Sequence, residues 1–195
     1  VAFIRRVVDS VPADTVHDID LVLISHLHYD HLHVPSLRRI APDTPVVVPR
    51  GAAPVVQRGG FGDVIEVVEG DRLAVRGVTI TVLPAQHSDQ RLPFGRRAQP
   101  VGFLVEGSGW SCYFAGDTDL FDDMHTLDGR VDVALLPVWG WGPTLGHGHL
   151  DPSRAAEAVD RIRPASVVPI HWGTLWPIGL GRYRADRLVG LPGVE

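Results

Sequence analysis

Four side chains of metal-ligating type fall within six residues at His26-Leu27-His28-Tyr29-Asp30-His31, directly after the apolar run 21–24. In extended backbone the side chains alternate with period two, so the His26 and His28 imidazoles point the same way and can meet one ion. If the chain then turns, Asp30 and His31 reach a neighbouring position. A lone histidine is usually a packed or solvated side chain, and this chain has 10 of them. This pattern of four, however, arises by chance only on the order of 10⁻³ per chain of this length. The spacing suits two adjacent ions better than one.

Four ligands from one segment cannot complete two coordination shells, so further His and Asp residues are expected at the ends of other strands. His87 follows the β-branched run 78–83, Asp117 follows 112–115, and His171 follows 167–170. Each of these residues stands just after a predicted strand. Ligands gathered at one edge of a sheet are what α/β architectures favour. Imidazole and carboxylate without thiolate suit Zn²⁺ first, with Mn or Fe as alternatives. Two such ions sharing a carboxylate and a bridging hydroxide would provide a nucleophile at neutral pH and a Lewis acid, which points to hydrolysis.

The elements that must position these groups read as short strands punctuated by Gly and Pro, at 21–24, 46–48, 64–68, 78–83, 101–105, 112–115, 131–136 and 167–170. Helices are predicted over 35–40, 52–58 and 152–162, the last with Asp151 as its cap and Pro164 beyond its end. Hairpin turns are expected at Arg76-Gly77 and Gly107-Ser108-Gly109. The mixture of antiparallel pairs and strand–helix–strand units suggests sheets covered by helices. Two stretches, 88–100 and 138–150, exceed the usual loop length, and long ordered loops tend to be functional.

The 195 residues, 45% hydrophobic and 21% charged, suffice for one globular domain with a real core, and the reading is a single domain over 1–195. The chain opens on Val1 and its one methionine is Met124, so truncation at the N-terminus is expected. A net charge of −5, with scattered Arg and no Lys, provides no basic stripe and disfavours a nucleic-acid partner, including the RNA substrate of a processing nuclease. The single Cys112 permits no intrachain disulfide and fits a cytoplasmic location. No apolar run reaches the length of a transmembrane segment, and no signal-peptide pattern opens the chain.

From Asp20 to Thr174 the chain resembles the metallo-β-lactamase superfamily, whose signature is His-x-His-x-Asp-His followed by a distant His, an Asp and a last His. The motifs Pro84-Ala85-Gln86-His87, Phe114-Ala115-Gly116-Asp117-Thr118, His149-Leu150-Asp151-Pro152 and Ile170-His171-Trp172-Gly173-Thr174 are similar to those of one branch. That branch contains the N-acyl-phosphatidylethanolamine phospholipases D and the ascorbate-6-phosphate lactonases. The resemblance implies an α+β fold, a four-layer αββα sandwich. It also implies that His26, His28 and His87 hold one metal, that Asp30, His31 and His171 hold a second, and that Asp117 bridges them. Relatives carry an N-terminal strand pair before the first motif, whereas only 25 residues precede His26 here, so that pair is expected to be missing.

Asp30 and His149 are the candidate catalytic residues, His149 as proton donor to the leaving group, since relatives place a histidine at its motif. His147 shares its Gly-rich loop. Trp139, Trp141, Trp172 and Trp176 flank the same region and could wall a pocket. Arg91, Arg96 and Arg97 could clamp an anion, although such residues more often form a solvated face. His17, His33 and His125 are expected at the surface. The function expected is a dinuclear metal-dependent hydrolase acting through a metal-bridging hydroxide on a phosphodiester of a small or lipid-like molecule. A lactone or other ester is the alternative substrate, and a metal-binding scaffold without turnover is the rival of a different class.

Overall fold

The computed structural model describes residues 4–6, 12–16, 18–90, 95–139 and 147–177. Three short strands form a parallel sheet in the order β2 (Val22–Leu23), β3 (Val46–Pro49), β4 (Val64–Val67). Every residue of β3 is buried. A central parallel strand is covered on both faces, and its unbroken Val-Val-Val run meets that demand.

A second sheet has six strands. Its order is β10 (Ser166–Ile170), β9 (Val133–Pro137), β8 (Trp110–Phe114), β7 (Val101–Gly107), β6 (Val78–Pro84), β5 (Arg72–Val75). The strands from β5 to β8 are antiparallel, whereas β8, β9 and β10 run parallel. Both expected hairpins form as two-residue turns with positive φ at each central residue, at Arg76-Gly77 and Ser108-Gly109. That backbone twist matches the twist of the flanking strands.

Period two divides the apolar residues among three layers. Val46 and Val48 face the side of the first sheet that carries α1 (Val34–Leu37) and α2 (Ala53–Gln57), together with Leu32, Val56 and Phe61. Val47 points the opposite way, into an intersheet layer with Val67, Ile80, Val82 and Phe103. Leu104 and Tyr113 alternate with Phe103 and Phe114 and face outward, beneath α3 (Pro152–Ile162) and a 3-10 turn at Asp122–Leu127. The result is the expected αββα layering.

Two helices are shorter than their predicted spans, and α1 is a single turn. The predicted α3 holds to the residue. The Asp151 carboxylate accepts from Arg154 N–H at 2.8 Å and caps the start, while Arg163 adopts the left-handed conformation just before Pro164. The reading of the sequence had no strand at β5, β1 (Ile4–Arg6) or β11 (Leu175–Pro177). The outer strand β5 alternates Arg72 and Ala74 outward, and β1 and β11, three residues each, are too short to show a period. These last two pair with each other antiparallel, as a separate two-stranded sheet. Among the described residues no helix is long and apolar enough to cross a membrane.

Phe103 is fully buried between the sheets. Phe103→Ala is expected to destabilise the fold by about 3–5 kcal/mol, read as a lowered denaturation midpoint in urea; an unchanged midpoint would contradict the layer assignment.

Candidate metal centre

The loops after β2, β6, β8 and β10 all emerge at one edge of the two sheets, and each carries part of a His/Asp cluster. His28 Nδ1 lies 3.0 Å from His26 Nε2 and 2.9 Å from His87 Nε2. These three nitrogens and an Asp117 oxygen form one group, and Asp30, His31 and His171 form another. Asp117 Oδ2 stands between them, at 3.7 Å from His26 Nε2, 3.8 Å from His87 Nε2, 3.1 Å from His31 Nε2 and 3.3 Å from His171 Nε2. All seven residues singled out for metal binding are thus brought together. His149 joins them, with Nε2 3.7 Å from Asp117 Oδ2.

The outer nitrogens of two imidazoles are tied to backbone carbonyls. His87 Nδ1–H donates to Gly148 O at 2.7 Å, and His171 Nδ1–H donates to Trp139 O at 2.5 Å. Their inner nitrogens, when neutral, therefore present lone pairs to the cluster. His26 Nδ1 is paired with Ser25 Oγ at 3.0 Å. Gly148 reaches His87 because it has no side chain. Its φ is +85°, and a Cβ there would lie 3.0 Å from both Gln86 O and His87 Cα.

The donor set fits a cation. One proton on His28 Nδ1 cannot satisfy both neighbouring nitrogens, and the buried His31 Nε2 and Asp117 Oδ1 have no hydrogen-bond partner. Burial drives the His26 and His28 pKa values down, helped at His26 by the charges of neighbouring histidines. Burial likewise lowers His87 to about 4. These imidazoles are neutral at pH 7 and ready to ligate.

His171 behaves in the opposite sense. Burial pulls its pKa down, but the hydrogen bond to Asp30 and the charge of Asp117 outweigh burial and raise it to about 9. Asp30 and Asp117 are held below the usual carboxylate range. Burial alone would raise both, yet the His171 hydrogen bond at Asp30, the close approach of His31 Nε2 to Asp117 Oδ2 and the surrounding histidine charges prevail. Without a metal, a proton on His171 supplies the positive charge that these carboxylates require.

His28 is partly buried, but the other three members of the first group are less accessible than the second group. The side chains of His26 and His87 are 1% exposed and that of Asp117 2%, against 12% for Asp30 and His171 and 13% for His31. A cavity of about 180 Å³ opens on the second group and is walled further by Trp172, Thr174 and Leu175. Trp172 keeps its indole N–H on Pro169 O at 3.2 Å. Trp139 contributes its carbonyl to His171. Arg97 is engaged with Asp89 at 3.3 Å and, like Arg96, is exposed, so both belong to a solvated face. His33, His125 and His147 are exposed as well. Trp141, Arg91, His17 and the Trp176 side chain lie outside the described residues. The reading of the sequence missed the Gly148 and Trp139 carbonyls and the Ser25 hydroxyl; a backbone acceptor has no residue-type signature.

Residues 4–172 match the beta-lactamase superfamily domain. The chain is 32% identical over 183 residues to a UPF0173 metal-dependent hydrolase of Thermococcus kodakarensis, a match spanning 88% of this chain and 75% of that protein. It is also 32% identical over 185 residues to N-acyl-phosphatidylethanolamine-hydrolyzing phospholipase D 1 of Caenorhabditis elegans, covering 85% of this chain and 52% of the relative. Among solved structures, the metallo hydrolase Igni18 of Ignicoccus hospitalis superposes with a TM-score of 0.63 at 29% identity, over 79% of this chain and 64% of that one. Fold, matched span and His-rich site together define a metal-dependent hydrolase of the metallo-β-lactamase superfamily. Within that superfamily the chain belongs to the UPF0173 metal-dependent hydrolases.

The His171 proton has a measurable consequence. Its pKa is raised from 6.5 to about 9, so it stabilises the metal-free fold fully below pH 6.5, and that contribution is lost as pH rises through about 9. A metal held by His171 would displace this proton. Divalent-metal affinity is therefore expected to climb as pH rises toward about 9, with proton release at pH 7. Calorimetry in buffers of different ionisation enthalpy measures that release, and a binding heat independent of buffer would rule it out.

Proposed function

We propose that the chain is a dinuclear hydrolase that cleaves a phosphodiester bearing an apolar group. The observation carrying this reading is the position of Asp117 Oδ2, within 4 Å of imidazole nitrogens from both groups. His26, His28 and His87 would hold one ion and Asp30, His31 and His171 the other, with Asp117 serving both. Donors that are all nitrogen and oxygen make Zn²⁺ the first candidate, ahead of Mn or Fe. When bound, a pair of such ions supplies a water that loses its proton near neutral pH and Lewis acidity for the developing oxyanion.

The chain's own groups do the rest. The cavity offers substrate an approach over Asp30, His31 and His171 and along the wall formed by Trp172 and Leu175. That wall suits the apolar portion of the substrate. Asp30 lies beside His171, its Oδ2 3.3 Å from Nε2, so that both can serve one ion. His149, with its side chain 20% exposed and Nε2 3.7 Å from Asp117 Oδ2, acts as proton donor to the leaving oxygen. The phosphodiester is preferred because the Caenorhabditis elegans relative hydrolyses one. A lactone or other carboxylic ester is the second reading, since both place an electrophile and a developing oxyanion in the same position.

Elemental analysis of the chain is expected to give two divalent ions, and turnover of bis-nitrophenyl phosphate is expected to exceed that of a lactone panel. The reverse ranking would favour the ester reading. Asp117→Ala should remove both ions and all turnover; two ions retained in that variant would sink the bridging assignment. His149→Gln should keep both ions and lower kcat by roughly 10²–10⁴, whereas an unchanged kcat would remove His149 from the chemistry.

A further inference from the structure

We infer that Thr118 is a positioning residue that sets the distance between His87 and Asp117, and so governs metal affinity without touching metal or substrate. The inference rests on the dinuclear reading above. Thr118 is fully buried, and its hydroxyl is bonded on both sides. It accepts from Gln86 N–H at 2.9 Å and donates to Asp119 O at 2.8 Å. Asp119 N–H in turn donates to Gln86 O at 2.9 Å.

These three bonds close a ring between two loops that come from different strands, β6 and β8. Gln86 immediately precedes His87, and Thr118 immediately follows Asp117. The clasp therefore sits one residue away from a ligand on each loop, where a small backbone shift translates almost directly into ligand displacement. His87 Nε2 and Asp117 Oδ2 are held 3.8 Å apart by this frame. The frame is tied onward, since Asp119 forms an ion pair with Arg154 in the first turn of α3, three residues beyond the cap Asp151 and five beyond His149.

An isosteric Thr118→Val keeps the volume and removes both hydroxyl bonds, leaving the Gln86 N–H without its acceptor. Thr118→Ser keeps both bonds and removes only a methyl group. Groups that orient ligands from behind typically change metal affinity by roughly ten- to hundredfold when removed. A residue that merely fills space would instead lower the melting temperature of the metal-free protein and leave the affinity alone.

The experiment is a zinc titration of the full chain against a chromogenic chelator at pH 7.5, with metal-free melting recorded in parallel. Thr118→Val is expected to weaken zinc binding roughly ten- to hundredfold, while Thr118→Ser stays near the unsubstituted chain. Thr118→Ala replaces the valine variant if the second branched methyl group proves too large for the site to fold. Affinity unchanged in a variant lacking the hydroxyl, or lost equally in Thr118→Ser, would overturn the inference while leaving the dinuclear reading intact. An unsubstituted chain that binds no zinc, manganese or iron would instead overturn the dinuclear reading, and the inference with it.

Discussion

A single carboxylate oxygen organises this molecule. Asp117 Oδ2 is buried, yet five imidazole nitrogens, from His26, His31, His87, His149 and His171, lie within 4 Å of it. Burying a charge is tolerable only when opposite charge and hydrogen bonds compensate it. Here the compensation must be positive charge at the centre of the cluster, because burial keeps the His26 and His87 imidazoles neutral. Lacking a metal, His171 holds a proton to meet that need. The cluster is thus built for cations, and the rest of the fold has to keep mutually repelling groups in place.

The two sheets accomplish this by ending together. Strands β2, β6, β8 and β10 carry the His and Asp residues of the cluster on the loops that follow them, so the rigid ladders fix where each loop begins. The loops are then restrained at their far side. The carbonyls of Trp139 and Gly148, at the two ends of the connection between β9 and α3, orient one imidazole from each group. Anchored this way, the ring nitrogens are preset before any ion arrives, which lowers the cost of ordering them. The asymmetry in exposure follows from the same layering. His26 and His87 lie beneath the loops, whereas Asp30, His31 and His171 border the cavity.

Much of the architecture can be read in residue order because its physical determinants are local. The α3 helix has a cap, a first-turn proline and a following proline, all set by residues adjacent in sequence, and its predicted limits match the structure. The hairpin turns at Arg76-Gly77 and Ser108-Gly109 are two-residue turns with glycine at the second position, again a local signal. Strands β1, β5 and β11 carried no such signal. The first and last are three residues long and exist through pairing with each other across most of the chain, which no window of sequence can report. Helix α1 stops at one turn where the apolar pattern ran to residue 40.

Residue order alone carries the chemistry: which side chains are of ligand type, that they follow strands, and that His26 and His28 share one side of an extended segment. It does so because strand periodicity and the spacing His-x-His-x-Asp-His are properties of neighbouring residues. The meeting of loops in space is what sets Asp117 Oδ2 between the two groups, opens a cavity on the second, and lets Gly148, Trp139 and Thr118 brace His87, His171 and Asp117 from behind. Those loops come from different strands. Backbone carbonyls and single hydroxyls become specific only through the distances at which the folded chain places them.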